Sequence, residues 1–173
     1  MASVGPVKPF HVAAAPRVPV RPPASIKIPA MFIDQPVIGL QVNLSDGRLT
    51  PPSGWNDIGW WNGGPAPGAP GAAIIAAHVD SDTGAAVFAG LGSLKDGSAI
   101  VIDRADGSIA TYAVYKMRYF DRDHFPSDVV YAETGPSELH LVTCSGQWNR
   151  QAHDYSQNYV VFAKLVSDTT RAS

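Results

Sequence analysis

Ala72-Ala73-Ile74-Ile75-Ala76-Ala77-His78 and, further along the chain, Leu139-His140-Leu141-Val142-Thr143-Cys144-Ser145-Gly146 are the stretches whose reading decides the fold. The first is an unbroken run of small apolar residues, short enough for a strand and without the polar stripe of a surface helix. An apolar run with no alternation is the pattern of a strand covered on both faces. It ends at His78, which places that histidine at a strand end. The second is another apolar strand, and it gives way at Cys144 to a polar, glycine-bearing loop.

Outward from these two, the chain repeats the same grammar. Short apolar runs at residues 26–28, 30–33 and 36–40 precede a Ser45-Asp46-Gly47 turn and a Pro51-Pro52-Ser53-Gly54 break. Residues 60–71 carry Trp60, Trp61, Asn62-Gly63-Gly64 and three prolines, and are expected to form a long surface loop. Residues 82–94 fit one short helix: Val87, Phe88, Leu91 and Leu94 recur at helical spacing behind Asp82 or Thr83 as a cap. Strand patterns resume at residues 99–103, 109–120, 139–144 and 159–166, with Asp106-Gly107 as a hairpin turn between the first two. The total is about seven or eight strands with little helix, an all-β chain. Closure into a barrel or a sandwich is the economical way to hide the edges.

Prolines 6, 9, 16, 19, 22 and 23 favour extended backbone over helix, so residues 1–24 are read as a proline-rich linker or arm and residues 25–173 as one domain. A formal net charge of -2 supplies no basic field for phosphate backbones, and nucleic acid is not an expected partner. No apolar run approaches the roughly 20 residues that cross a bilayer, so the chain as given is expected to be soluble, any membrane anchor lying upstream. With one cysteine no internal disulfide forms, and the thiol is either buried or used.

A cysteine nucleophile needs thiolate character, which a nearby imidazolium favours, and the same ring can protonate a departing amine. Of five histidines, His11 lies in the arm and His124 and His153 in polar loops. His140 shares a strand face with Cys144 but sits roughly 13 Å away along it. His78 is the best partner. Acyl transfer also needs a donor for the developing oxyanion, and Arg150 is the arginine that shortly follows Cys144. No CxxC, HExxH, phosphate loop or EF-hand pattern occurs, and neither a metal nor a cofactor is expected.

These residues resemble a known family. Leu141-Val142-Thr143-Cys144 is similar to the Thr-Leu-x-Thr-Cys signature of sortases, and Ala77-His78-Val79-Asp80-Ser81 resembles the segment around their catalytic histidine. Ile28-Pro29-Ala30, Asp46-Gly47-Arg48-Leu49, Gly59-Trp60-Trp61, Pro67-Gly68, Val87-Phe88 with Leu91, and residues 158–163 fall in the order of actinobacterial-type sortases, especially class F. The likeness covers residues 24–166. It implies a sortase-type eight-stranded β-barrel with a few short helices, on the extracellular face of the membrane or in the cell wall. One departure stands out: the family's arginine usually lies on the last strand, where a count back from Val160 lands on Asn158. Gln147-Trp148-Asn149-Arg150 resembles a class F loop, so the role passes to Arg150, with Asn158, Thr143 and Ser145 as further oxyanion or substrate-binding candidates.

The activity implied is that of a cysteine transpeptidase that cleaves a Leu-Pro-x-Thr-Gly-like sorting signal between Thr and Gly and transfers the acyl chain to an amine through a thioacyl enzyme. Its expected partners are the sorting-signal peptide of a surface protein and an amine acceptor of the wall or of another protein, with a monomer as the working unit. Two alternatives compete. One is another cell-wall cysteine acyltransferase such as an L,D-transpeptidase, although its usual His-Gly-Cys arrangement is absent. The other is a non-enzymatic barrel that binds wall polymer or peptide through Trp55, Trp60 and Trp61, with Cys144 merely buried.

Overall fold

The computed structural model describes residues 4–6 and 21–169. Beside two two-stranded hairpins, eight strands form its barrel: β1 (Pro23–Ile28), β2 (Ile33–Leu40), β3 (Ile58–Trp61), β4 (Gly71–Ala77), β5 (Ala99–Arg104), β6 (Ile109–Asp121), β7 (Ser137–Asn149) and β8 (Asp154–Thr169). They close into a barrel in the order β1-β2-β3-β4-β7-β8-β6-β5. The pairs β2–β3 and β4–β7 are parallel and the rest antiparallel. Among the described residues the helical content is three single 3-10 turns and the one-turn helix Ser127–Val130.

The core explains why β4 reads as an unbroken apolar run. Ala73, Ile75 and Ala77 point into the barrel with Ile26, Ile58, Ile100, Leu139 and Val161. Ala72, Ile74 and Ala76 face outward into a second buried layer, where Val130 and Tyr131 of the β6–β7 connection cover them with Val142, Val160 and Phe162. Every residue of β4 is therefore buried. Val4 joins this outer layer, the Tyr131 hydroxyl donates to the Gly5 carbonyl at 2.9 Å, and Pro6 bridges to Arg48. Pro23 and Ala24, within the segment read as an arm, belong to β1; residues 7–20 lie outside the described residues.

Two local expectations are corrected. Trp60 and Trp61 are not in a surface loop: β3 carries both, one ring in each buried layer. The turn begins only at Asn62, and glycine is required after it because a Cβ on Gly64 would come within 2.6 Å of the Trp61 ring. Residues 82–94 do not form a helix. Asp80–Ser81 pairs with Gly84–Ala85 as a small hairpin, and a 3-10 turn follows at Leu91–Ser93. The reason is Gly84, at φ +144°, a conformation that ends any helix nucleus. Phe88 and Leu91 still reach the core, and the Phe88 N–H donates to the His78 carbonyl at 2.9 Å, holding the end of β4.

Closure at the opposite end of the barrel depends on Arg104, the last residue of β5, which is only 3% exposed. Its guanidinium donates to Ser108 Oγ at 2.6 Å, to the Pro67 carbonyl at 3.1 Å and to the Asp168 carboxylate near the end of β8. One side chain thus ties β5, the β3–β4 loop and β8. Arg104→Met leaves the Pro67 carbonyl and Ser108 without their buried donor and Asp168 without its cation, and should cost about 2–3 kcal/mol. Urea unfolding measures this, and a loss below about 1 kcal/mol would contradict the closure role.

Candidate active site

The parallel register of β4 and β7 runs from Ser137 opposite Gly71 to Val142 opposite Ala76. His78 and Cys144 each lie two residues beyond the last of those pairs, at the same offset of 66 positions. Thr143 extends the tie, its Oγ1 donating to the Ala77 carbonyl at 2.8 Å. Alternation along both strands puts Ala76, His78, Val142 and Cys144 on the outward face, since Ala77 and Leu141 point inward. On the other side of β7, Cys144 is paired directly with Asn158 of β8. Histidine, cysteine and asparagine thus occupy one face at one end of the sheet.

Just past Cys144 the ladder breaks. The β7–β8 register shifts between Ser145 and Trp148, and Gly146 adopts φ +83° with its Cα so near Ser156 that a Cβ would lie 2.4 Å from the hydroxyl oxygen. A bulge here ends the flat pairing and turns the strand away, a common device beside active sites. The strand itself continues to Asn149, further than the sequence reading placed its end.

His78 and Cys144 line a cleft of about 640 Å³. One side comes from the segment after β4, with Asp80 and Asp82; the other from Trp148, His153 and Tyr155 of the β7–β8 hairpin, with Trp55 over the histidine. The Trp55 and His78 rings meet edge to face with centroids 4.8 Å apart. His78 Nε2 lies 2.7 Å from the Pro52 carbonyl. A carbonyl only accepts, so Nε2 carries the hydrogen and Nδ1 is left for proton exchange. The Tyr155 hydroxyl donates to the Asp80 carboxylate across the cleft. Burial raises the Tyr155 hydroxyl's pKa, and so does the bond to that carboxylate.

The thiol is 6% exposed. Burial pushes it up to about 12, with Arg122 pulling it down and Asp80 pushing it up again. Asn158 is buried, its Nδ2 donating at 3.5 Å to the Thr143 carbonyl while Oδ1 has no partner. Thr143 spends its hydroxyl on β4. Ser145 is half-buried and paired with Gln157. Arg150 is exposed in the turn between β7 and β8 and is not among the residues lining the cleft. His140 is held on both ring nitrogens, by the Val130 carbonyl at 2.7 Å and the Glu138 carboxylate at 2.8 Å, as a buried structural histidine. Sequence reasoning quoted Asp80 only as part of the segment around His78 and missed Arg122 and Tyr155, whose placement depends on strands and loops far apart in the chain. Among the described residues, no group of three or more His, Cys, Asp or Glu is placed to hold a metal ion.

Comparison with protein families matches residues 26–166 to the Sortase domain. Among curated proteins no sequence matches. Several solved structures share the fold. Sortase C1 of GBS pilus island 1 is 19% identical with a TM-score of 0.61, over 84% of this chain and 66% of that one. Sortase C-1 from Actinomyces oris is 19% identical with a TM-score of 0.61, over 83% and 73%. Sortase A from Corynebacterium diphtheriae is 19% identical with a TM-score of 0.62, over 88% and 64%. The chain thus spans slightly less than two thirds of the first and third of these. At such identity the likeness is one of fold.

A thiol held up to about 12 is protonated at neutral pH, and its thiolate fraction grows tenfold with each pH unit below that value. Alkylation of Cys144 in the free protein by iodoacetamide should therefore rise steadily from pH 7 to 10. A plateau beginning near neutral pH would show a thiolate already formed and contradict the burial argument.

Proposed function

The chain belongs to the sortase family, a family of cysteine transpeptidases of the bacterial surface, and from that premise we propose that it cleaves a Leu-Pro-x-Thr-Gly-like sorting signal between Thr and Gly and transfers the acyl chain to an amine. The observation that carries this reading is the shared offset of β4 and β7, which brings His78 and Cys144 to one face and into one cleft. Family membership sets aside the L,D-transpeptidase alternative. The ordered segments around Gly59-Trp60-Trp61, Pro67-Gly68 and Gln147-Trp148-Asn149-Arg150 support a class F, actinobacterial assignment.

In the proposed reaction the Cys144 thiol passes its proton to His78 Nδ1 as the sulfur attacks the threonine carbonyl carbon, and His78 hands that proton to the leaving nitrogen as the C–N bond to glycine breaks. The product is a thioester and a free amino terminus. An incoming amine then attacks the thioester carbon and gives its proton to His78, the C–S bond breaks, and His78 returns the proton to the sulfur to restore the thiol, while water in place of the amine yields hydrolysis. The bond from Nε2 to Pro52 fixes the ring so that one nitrogen faces this exchange. Two groups compete for the oxyanion. Arg150 offers a charged fork but stands exposed in the hairpin turn, and Asn158 offers a neutral amide beside Cys144.

We take the sorting-signal peptide and a wall or protein amine as partners, with residues 1–24 as the arm of a catalytic domain over 25–173. Sortases act at the cell surface; among the described residues no helix is long and apolar enough to cross a membrane.

Cleavage of a fluorogenic Leu-Pro-x-Thr-Gly peptide with added amine is the test. Cys144→Ala should remove activity and His78→Ala should lower kcat/KM by about 10²–10⁴-fold. Loss of the true oxyanion donor should cost about 10²–10³-fold, which ranks Asn158→Ala against Arg150→Ala. No turnover and no thioacyl adduct with the intact chain would leave the binding-module reading in its place.

A further inference from the structure

We propose that Arg122, held by Asp154, is the cation that supports the Cys144 thiolate, so that the positive charge of the active site enters from the end of β6 rather than from β8. This rests on Cys144 being the nucleophile. It names a residue that the sequence order of the family does not point to.

The argument begins with position. Phe120 of β6 is paired with Asn158 of β8, and Asn158 with Cys144 of β7. Phe120 packs in the outward layer, so Arg122, two residues on in the 3-10 turn Arg122–His124, lies on the same face as Cys144. The two backbones are separated by one intervening strand, about 10 Å across, and the arginine side chain turns into that gap, lining a cavity with Asp154, Tyr155 and Ser156 of β8.

Burial is the second observation. The Arg122 side chain is 20% exposed, unusual for an arginine in a short connecting turn, and its guanidinium pairs with Asp154, whose side chain is 9% exposed. Asp154 is itself oriented, its Oδ1 accepting the Tyr155 backbone N–H at 2.8 Å. A pair this enclosed fixes the charge in place, and an arginine stays protonated there.

Charge is the third. The effect is reciprocal: burial raises the thiol's pKa and Arg122 pulls it back down, while burial and the nearby Arg48 lower the guanidinium's and the thiolate opposes them. The other ionisable groups facing the thiol are His78, Asp80, Asp82, His153 and Tyr155, all on the cleft. Among these only the two histidines can be cationic. Asn158 supplies no charge beside Cys144, and Arg150 is exposed in the hairpin turn; Arg122 is half-buried in a cavity that shares Tyr155 with the cleft, and acts on the thiol through charge rather than contact. Asp154 acts through Arg122 and is a positioning residue.

The test is the pH profile of Cys144 alkylation by iodoacetamide in the full chain, which reads the thiolate without any peptide substrate. Arg122→Gln should slow alkylation at pH 7 by about tenfold or more and displace the whole profile to higher pH. Arg122→Lys should keep most of the rate, Asp154→Asn should give an intermediate displacement, and Arg118→Gln, an exposed arginine of β6, should match the parent. Because Arg122→Gln leaves Asp154 buried without a cation, the paired Arg122→Gln/Asp154→Asn protein is measured beside it, with thermal unfolding of each. Folded Arg122→Gln or double-variant protein with the parent's profile would overturn the proposal, as would an Arg122→Lys protein as slow as Arg122→Gln. Peptide cleavage by the parent reads separately whether the transpeptidase assignment stands.

Discussion

The parallel pairing of β4 with β7 is the constraint on which the rest of this molecule depends. Parallel strands need a long crossover between them, and here that crossover contains β5, β6 and the Phe125 to Tyr131 segment that caps the outward layer. Because the register holds one offset from Gly71 to Ala76, everything beyond the last pair inherits it. The Thr143 hydroxyl on the Ala77 carbonyl carries the alignment one step further at the price of no charged group in the core. A slip of β7 by one residue against β4 would turn Cys144 to the barrel interior while His78 stayed on the outward face.

Covering both faces of β4 has a chemical consequence. The outward layer that buries Ala72, Ile74 and Ala76 continues up the sheet towards Cys144 and Asn158, so the thiol sits at the edge of an apolar environment rather than on an open surface. Burial stabilises the neutral thiol, and the nearby charges work against one another: Arg122 favours the thiolate and Asp80 opposes it. Reactivity at this site is thus a balance between desolvation, which packing imposes, and a small number of placed charges. The Tyr155 bond to Asp80 links the two walls of the cleft and couples that balance to the β7–β8 hairpin.

Glycine and proline do work of position rather than of chemistry around the site. Gly146 lets β7 break its ladder beside Ser156, and Pro52 presents the carbonyl that selects which nitrogen of His78 holds a hydrogen. At the other end, Arg104 gathers β5, the β3–β4 loop and β8, where the barrel has to close. The two ends therefore divide the labour, one anchored by a buried arginine and the other left open as a cleft.

What the chain's order determined by itself was the strand content, the doubly covered strand ending at His78, the single thiol at a strand-to-loop transition, and through motif resemblance the family. Those are legible because periodicity, turn chemistry and the Thr-Cys and His-Val-Asp segments are local. The Trp60-Trp61 pair was misread as loop, since proline and glycine density in residues 62–70 masked a short strand buried on both sides. The helix expected over residues 82–94 failed at Gly84, whose backbone angle no helix accommodates. Strand patterning left barrel and sandwich open and the family resemblance chose the barrel, which the structure has, whereas the facing of Cys144 with Asn158, the exposure of Arg150 and the pairing of Arg122 with Asp154 were decided only by tertiary structure. Each depends on which strands become neighbours, and neighbours across a sheet are separated by tens of residues along the chain, a distance that no local pattern encodes.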